Sequence, residues 1–140
     1  MLHLFALAMA SVAPAAEAEA INLAIQPYCL CLGTYVSKRM PDDGNVLTTY
    51  ALATQAVEDC KTIRADVSSA ANAKLLSLGF DDAADRNHRV SLALCKVDFL
   101  WGWRPKTLPP RAAHSVAEAP QYSPDHSYEC ETWLKNNAQN

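Results

Sequence analysis

The sequence predicts an all-α domain, and three observations predict it. Apolar residues recur three or four apart in three separate stretches, the period of an amphipathic helix. Alanine, the strongest helix former, is dense through the longest stretch. Strong chain breakers stand near the ends of these stretches: Pro27 before the first, Pro41 and Gly44 between the first and second, Gly79 after the second, and Gly102 with Pro105 after the third. The expected architecture is three main helices, an antiparallel hairpin plus an N-terminal helix. A proline-rich C-terminal strap and a short final helix follow.

The first helix is expected after Pro27, because proline lacks an N–H that the first helical turn does not use. Tyr28, Cys31, Leu32 and Tyr35 then share a face, and Lys38 and Arg39 suit the negative end of the helix dipole. The second helix is expected to start after Asp42-Asp43-Gly44, or at Thr48, and to run without a break to Leu78. Tyr50, Ala53, Val57, Cys60, Val67, Ala71 and Leu78 form its apolar stripe, with Glu58, Asp59, Lys61, Arg64 and Asp66 mostly off it. At 1.5 Å per residue such a rod is about 45 Å long.

Gly79 is expected to close this helix in the left-handed conformation, with Phe80 folding back as its hydrophobic contact. Asp81 is the expected cap of the third helix, and so short a connection forces the two helices into a hairpin. The third helix runs from about Asp82 to Trp101. Val90, Leu94, Val97 and Trp101 lie on one face, and Leu92, Cys95 and Phe99 on another. A helix apolar on two sides is buried on two sides, so this one is expected at the centre. From Arg104 to Ser127 the chain holds prolines 105, 109, 110, 120 and 124, the composition of an extended strap. Glu129 to Asn137 reads as the final short helix.

The first twenty residues have a different character. An apolar run from Leu4 to Ala13 leads into small residues with two A-x-A sites, the layout of a secretory signal peptide. Cleavage is expected before Glu19 or Ile21, although no Lys or Arg precedes the apolar run. The domain division is therefore a signal peptide over 1–20, a helical core over 21–103, and a proline-rich tail with its terminal helix packing on the core over 104–140. A destination outside the cytoplasm, periplasmic or secreted, follows. The apolar run is about half of what spanning a bilayer requires, so no membrane span is expected after cleavage. Loss of Glu17 and Glu19 moves the formal charge from −3 to −1. A nearly neutral chain gives no case for nucleic acid.

An exported chain with cysteines at 29, 31, 60, 95 and 130 must leave an odd one unpaired within itself. Cys29 and Cys31 point about 200° apart on a helix. Cys31 shares the Tyr28 face, and Cys60 lies on the stripe of the second helix. The favoured pairing is Cys31–Cys60 with Cys95–Cys130, leaving Cys29 as the free thiol. The competing pattern is Cys60–Cys95 with Cys130 bound to Cys29 or Cys31.

Chemistry-bearing motifs are sparse. Ser, His and Asp occur without a G-x-S-x-G or an H-E-x-x-H to arrange them, so no enzyme activity and no cofactor is expected. Cys29, Cys31, His126 and Cys130 are the right residue types for Zn²⁺ or Cu(I) and form the weaker, metal- or thiol-handling alternative. Trp103 and Trp133, with Arg104, Lys106 and Arg111, form a candidate surface for an envelope protein or glycan, because Trp and Arg are common binding anchors. The reading is an exported, disulfide-stabilised, non-catalytic binding or interaction protein of the cell envelope.

Overall fold

In a computed structural model, residues 14–39, 46–104 and 126–137 are described. Among them the chain forms five helices: α1 (Pro14–Arg39), α2 (Val46–Asp59), α3 (Lys61–Ser77), α4 (Ala83–Leu100) and α5 (Ser127–Asn137). The all-α class stands, and no described residue is in a strand.

α1 corrects the expected start at Pro27. It begins thirteen residues earlier and carries Pro27 in its interior. Interior proline deprives the carbonyl four residues back of its donor, and here that residue is Leu23. Both Pro27 and Leu23 lie on the exposed side of the helix, where water can take the place of the missing donor. The opposite side carries Ile21, Ile25, Tyr28, Leu32 and Val36, all buried, at spacings of four, three, four and four. This five-residue stripe makes α1 the axis of the fold. It packs against α2, α3 and α4, most extensively against α3. α4 is buried on two sides as expected, Val90 and Leu94 in the larger cluster and Cys95 and Phe99 in the smaller, and is covered by α1, α3 and α5.

The long second rod is two helices. Cys60 interrupts it with φ −91° and ψ 6°, yet the backbone bonds continue through it, from Cys60 N–H to the Ala56 carbonyl at 2.9 Å and from Arg64 N–H to the Cys60 carbonyl at 3.0 Å. The irregularity is therefore local, and it sits at a cysteine that is cross-linked to α1. Ala53, Ala56, Cys60, Val67, Ala71 and Leu75 are buried along α2 and α3, whereas Leu78 is half-buried and Tyr50 exposed.

α3 ends as its glycine predicts. Gly79 has φ +96°. Its N–H bonds to the Leu76 carbonyl and the Phe80 N–H to the Leu75 carbonyl, both at 3.1 Å, the paired bonds of a Schellman motif. Phe80 packs back on the core. The same arrangement ends α4: Gly102 has φ +97°, with Gly102 N–H on Phe99 and Trp103 N–H on Asp98, both at 3.0 Å. The cap of α4 is Asp82 rather than Asp81. Its carboxylate accepts from the Ala84 and Asp85 N–H groups at 2.9 and 3.4 Å. The α3–α4 hairpin is tied by Arg86, which donates to Asn72 Oδ1 at 2.7 Å and to the Phe80 carbonyl at 2.8 Å.

Two apolar clusters result. The larger fills the space among α1, α2, α3 and α4. The smaller, Cys95, Phe99 and Cys130 with Leu92, Trp103 and Trp133 against them, joins α5 to α4. The expected proline-rich strap over 105–125 lies outside the described residues, as do the apolar part of the leader and the Asp42-Asp43-Gly44 start.

Candidate functional site

The cysteines set the frame. Cys31 and Cys60 are joined, with sulfurs 2.09 Å and Cα atoms 6.1 Å apart; Cys95 and Cys130 are joined, with 2.19 Å and 5.8 Å. Cys29 is the free thiol, half-buried. Burial, assisted by the charge of Asp98, pushes its pKa above the ordinary thiol value against the opposing effect of a backbone hydrogen bond. A thiol held protonated is a poor nucleophile and a poor metal ligand.

The set Cys29, Cys31, His126 and Cys130 is not assembled as a metal centre. The sulfurs of Cys31 and Cys130 are spent in two different bridges, and no group of three or more metal-ligating side chains occurs among the described residues. His126 is buried against the Phe99 ring, with centroids 5.8 Å apart, and its Nδ1 lies 3.5 Å from Glu129 Oε1.

Three of the five proposed surface residues do come together. Trp103 stacks edge-on to Phe99 at 5.7 Å and Trp133 edge-on to Trp103 at 5.6 Å. Arg104 lies over the Phe99 ring at 4.6 Å and donates to the Phe99 and Trp103 carbonyls at 2.7 Å. Both tryptophans are half-buried, and part of each ring is used to close α5 over α4. Lys106 and Arg111 lie outside the described residues.

A buried polar cluster escaped the sequence reading. Asp98, 3 % exposed, sits where α1, α3 and α4 meet. Its Oδ1 accepts from the Tyr28 hydroxyl on α1, and its Oδ2 accepts from Arg64 Nη2 on α3 at 2.9 Å. Burial raises the Asp98 pKa above the ordinary carboxylate value, although Arg64 and Tyr28 pull the other way. Burial and the neighbouring Asp98 likewise raise the Tyr28 phenol. For Arg64, burial works against the charged form, but Asp98 and Tyr28 outweigh it and the pKa rises. Cys60 and Arg64 are one turn apart, as are Tyr28 and Cys31. The disulfide and the polar cluster therefore fasten α1 to α3 side by side, and Asp98 brings in α4. The signal in the sequence was a carboxylate between Val97 and Phe99 in a helix apolar on two sides.

A concavity runs between the first turns of α1 and one face of α4, with a volume near 480 Å³. This lies within the range of small-molecule sites. On α4 the residues Arg89, Leu92, Ala93, Lys96, Val97 and Leu100 line it at helical spacing; Glu17, Ala18, Ile21 and Asn22 of α1 face them, and His126 completes the wall. Two of the lining residues are paired: Glu17 Oε1 accepts from Arg89 Nη1 at 2.5 Å, while Arg89 Nε donates to Asp85 Oδ2 at 2.9 Å. Glu17 is only 18 % exposed. No family model, no curated protein and no solved structure matches the chain.

Proposed function

We propose that this chain is an exported, non-catalytic binding protein of the cell envelope, freed of residues 1–20 and held in shape by its two disulfides. The observation that carries the reading is the cross-linking of four of five cysteines in two bridges, a pattern at home in an oxidising compartment and rare in the cytosol. Two further observations support it. The buried stripe of α1 begins at Ile21, and none of residues 15–20 is buried. Cleavage before Ile21 would thus leave that stripe whole. No described helix is long and apolar enough to cross a membrane.

The reading is tested by expressing the full chain in a bacterial host and determining its compartment and N-terminus. The expected result is a periplasmic or secreted protein beginning at Glu19 or Ile21. An intact chain recovered from the cytoplasm would overturn it.

A further inference from the structure

Both bonds at which the leader is expected to be cut lie inside a helix. α1 runs from Pro14 to Arg39, so it contains Ala18–Glu19 and Ala20–Ile21. In a helix each carbonyl takes the N–H four residues on, and the chain there cannot be laid out as a strand. The A-x-A signal has a different geometry. Its two small side chains stand two residues apart, and in an extended strand they project from the same side. On a helix the same two point about 200° apart. Ala16 with Ala18, and Ala18 with Ala20, therefore cannot enter one peptidase cleft together while α1 is formed.

A helix end left to itself frays easily, but this one is fastened at two points. Glu17, between the two alanines of the first site, accepts from Arg89 Nη1 of α4 at 2.5 Å, and Arg89 Nε is held by Asp85 at 2.9 Å. One turn further on, Ile21 is 6 % exposed and begins the buried stripe of α1. Extending residues 16–19 breaks the ion pair, and extending 18–21 also draws Ile21 out of the core. Resting on the export reading above, we infer that the folded precursor is locked against removal of its leader, with Arg89 and Ile21 as the lock, so that processing precedes the packing of α1 on α4. The cut itself consumes one water and leaves a carboxylate on Ala18 or Ala20 and an amine on Glu19 or Ile21. The machinery that exports this chain therefore delivers it unfolded to a peptidase, and the Cys31–Cys60 bridge between α1 and α3 closes afterwards.

The test is digestion of the purified full chain by a leader peptidase that cuts after A-x-A, followed by mass spectrometry. One sample is oxidised and folded. The other is reduced, alkylated on its cysteines and shown by circular dichroism to be unfolded. Cleavage of a folded chain tracks the population of its open form, and burial of one isoleucine disfavours that form by about tenfold or more. The folded precursor is therefore expected to be cut at least about tenfold more slowly than the unfolded one. Arg89→Gln removes one fastening at a residue that is itself a third exposed. A melting curve establishes that this variant is folded, and its oxidised precursor is expected to be cut about threefold faster than the wild type, the worth of a partly exposed ion pair. Equal rates for folded and unfolded wild type, or for folded wild type and folded Arg89→Gln, would overturn the inference while leaving the export reading in place. An unfolded chain left uncut would overturn the export reading, and the inference with it.

Discussion

Replacing Asp98 by alanine is the sharpest test of how the three inner helices are held together. The substitution removes the acceptor of the Tyr28 hydroxyl, whose residue is fully buried, and of Arg64 Nη2. A buried hydroxyl without a partner costs about 1–3 kcal/mol. A fully buried ion pair broken on one side costs about 3–5 kcal/mol, but the Arg64 side chain is 32 % exposed and recovers part of its hydration. A net loss of about 3 kcal/mol follows from these terms. At roughly 4 °C per kcal/mol for a domain of this size, the melting temperature falls by about 12 °C. Thermal melting followed by circular dichroism reads it directly. The companion variant, Tyr28→Phe with Arg64→Met and Asp98→Leu, removes every partner together. It is expected to melt within a few degrees of the wild type, because an apolar replacement avoids the desolvation of the charges. A drop of less than about 2 °C for Asp98→Ala, corresponding to under about 0.5 kcal/mol, would mean that Asp98 does not hold the three helices together.

Other perturbations have equally definite outcomes. The loops closed by Cys31–Cys60 and Cys95–Cys130 span 29 and 35 residues, so chain entropy assigns them about 3.6 and 3.8 kcal/mol. Denaturant melts of the paired serine variants should show losses of that order, and full reduction should approach the whole stability of a small domain. Gly79→Ala meets no atom within 4 Å, so its expected cost, about 1–2 kcal/mol, comes from the positive φ alone. Gly33→Ala is expected to act differently: its Cβ would come 3.2 Å from the Trp101 ring, and a change in Trp fluorescence should accompany the loss. For pH, Asp98 has its folded pKa raised above the unfolded value. The folded state then holds the extra proton between those two values, so this contribution is fully present below the unfolded pKa and is lost as pH rises through the folded one. Asp98→Asn should flatten that part of the stability profile.

Much of this fold was legible because helices announce themselves by period and glycines by position. Gly79 and Gly102 stop α3 and α4 in the conformations that only glycine adopts easily. The cysteine positions matched helix faces closely enough to favour the pairs that the structure joins. What was missed has physical causes. Pro27 is a helix starter by local rule, yet here its cost is borne on a solvent face, so α1 continues through it. Starting the helix there hid Ile21 and Ile25 from the core and, with them, the groove that α1 makes with α4. The Asp98 cluster depends on contacts 34 and 70 residues apart, which no local pattern encodes. Asp81 and Asp82 are both competent caps, and only the path of the turn chooses between them.

We propose an exported domain whose shape depends on two particular disulfides. Intact mass of protein from the exported fraction, alkylated with and without prior reduction and followed by peptide mapping, tests it most directly. The expected product is a chain starting at Glu19 or Ile21 that takes one alkyl group, on Cys29, before reduction and five after it, with Cys31 linked to Cys60 and Cys95 to Cys130. A full-length chain with five reactive thiols, or a Cys60–Cys95 linkage, would contradict it.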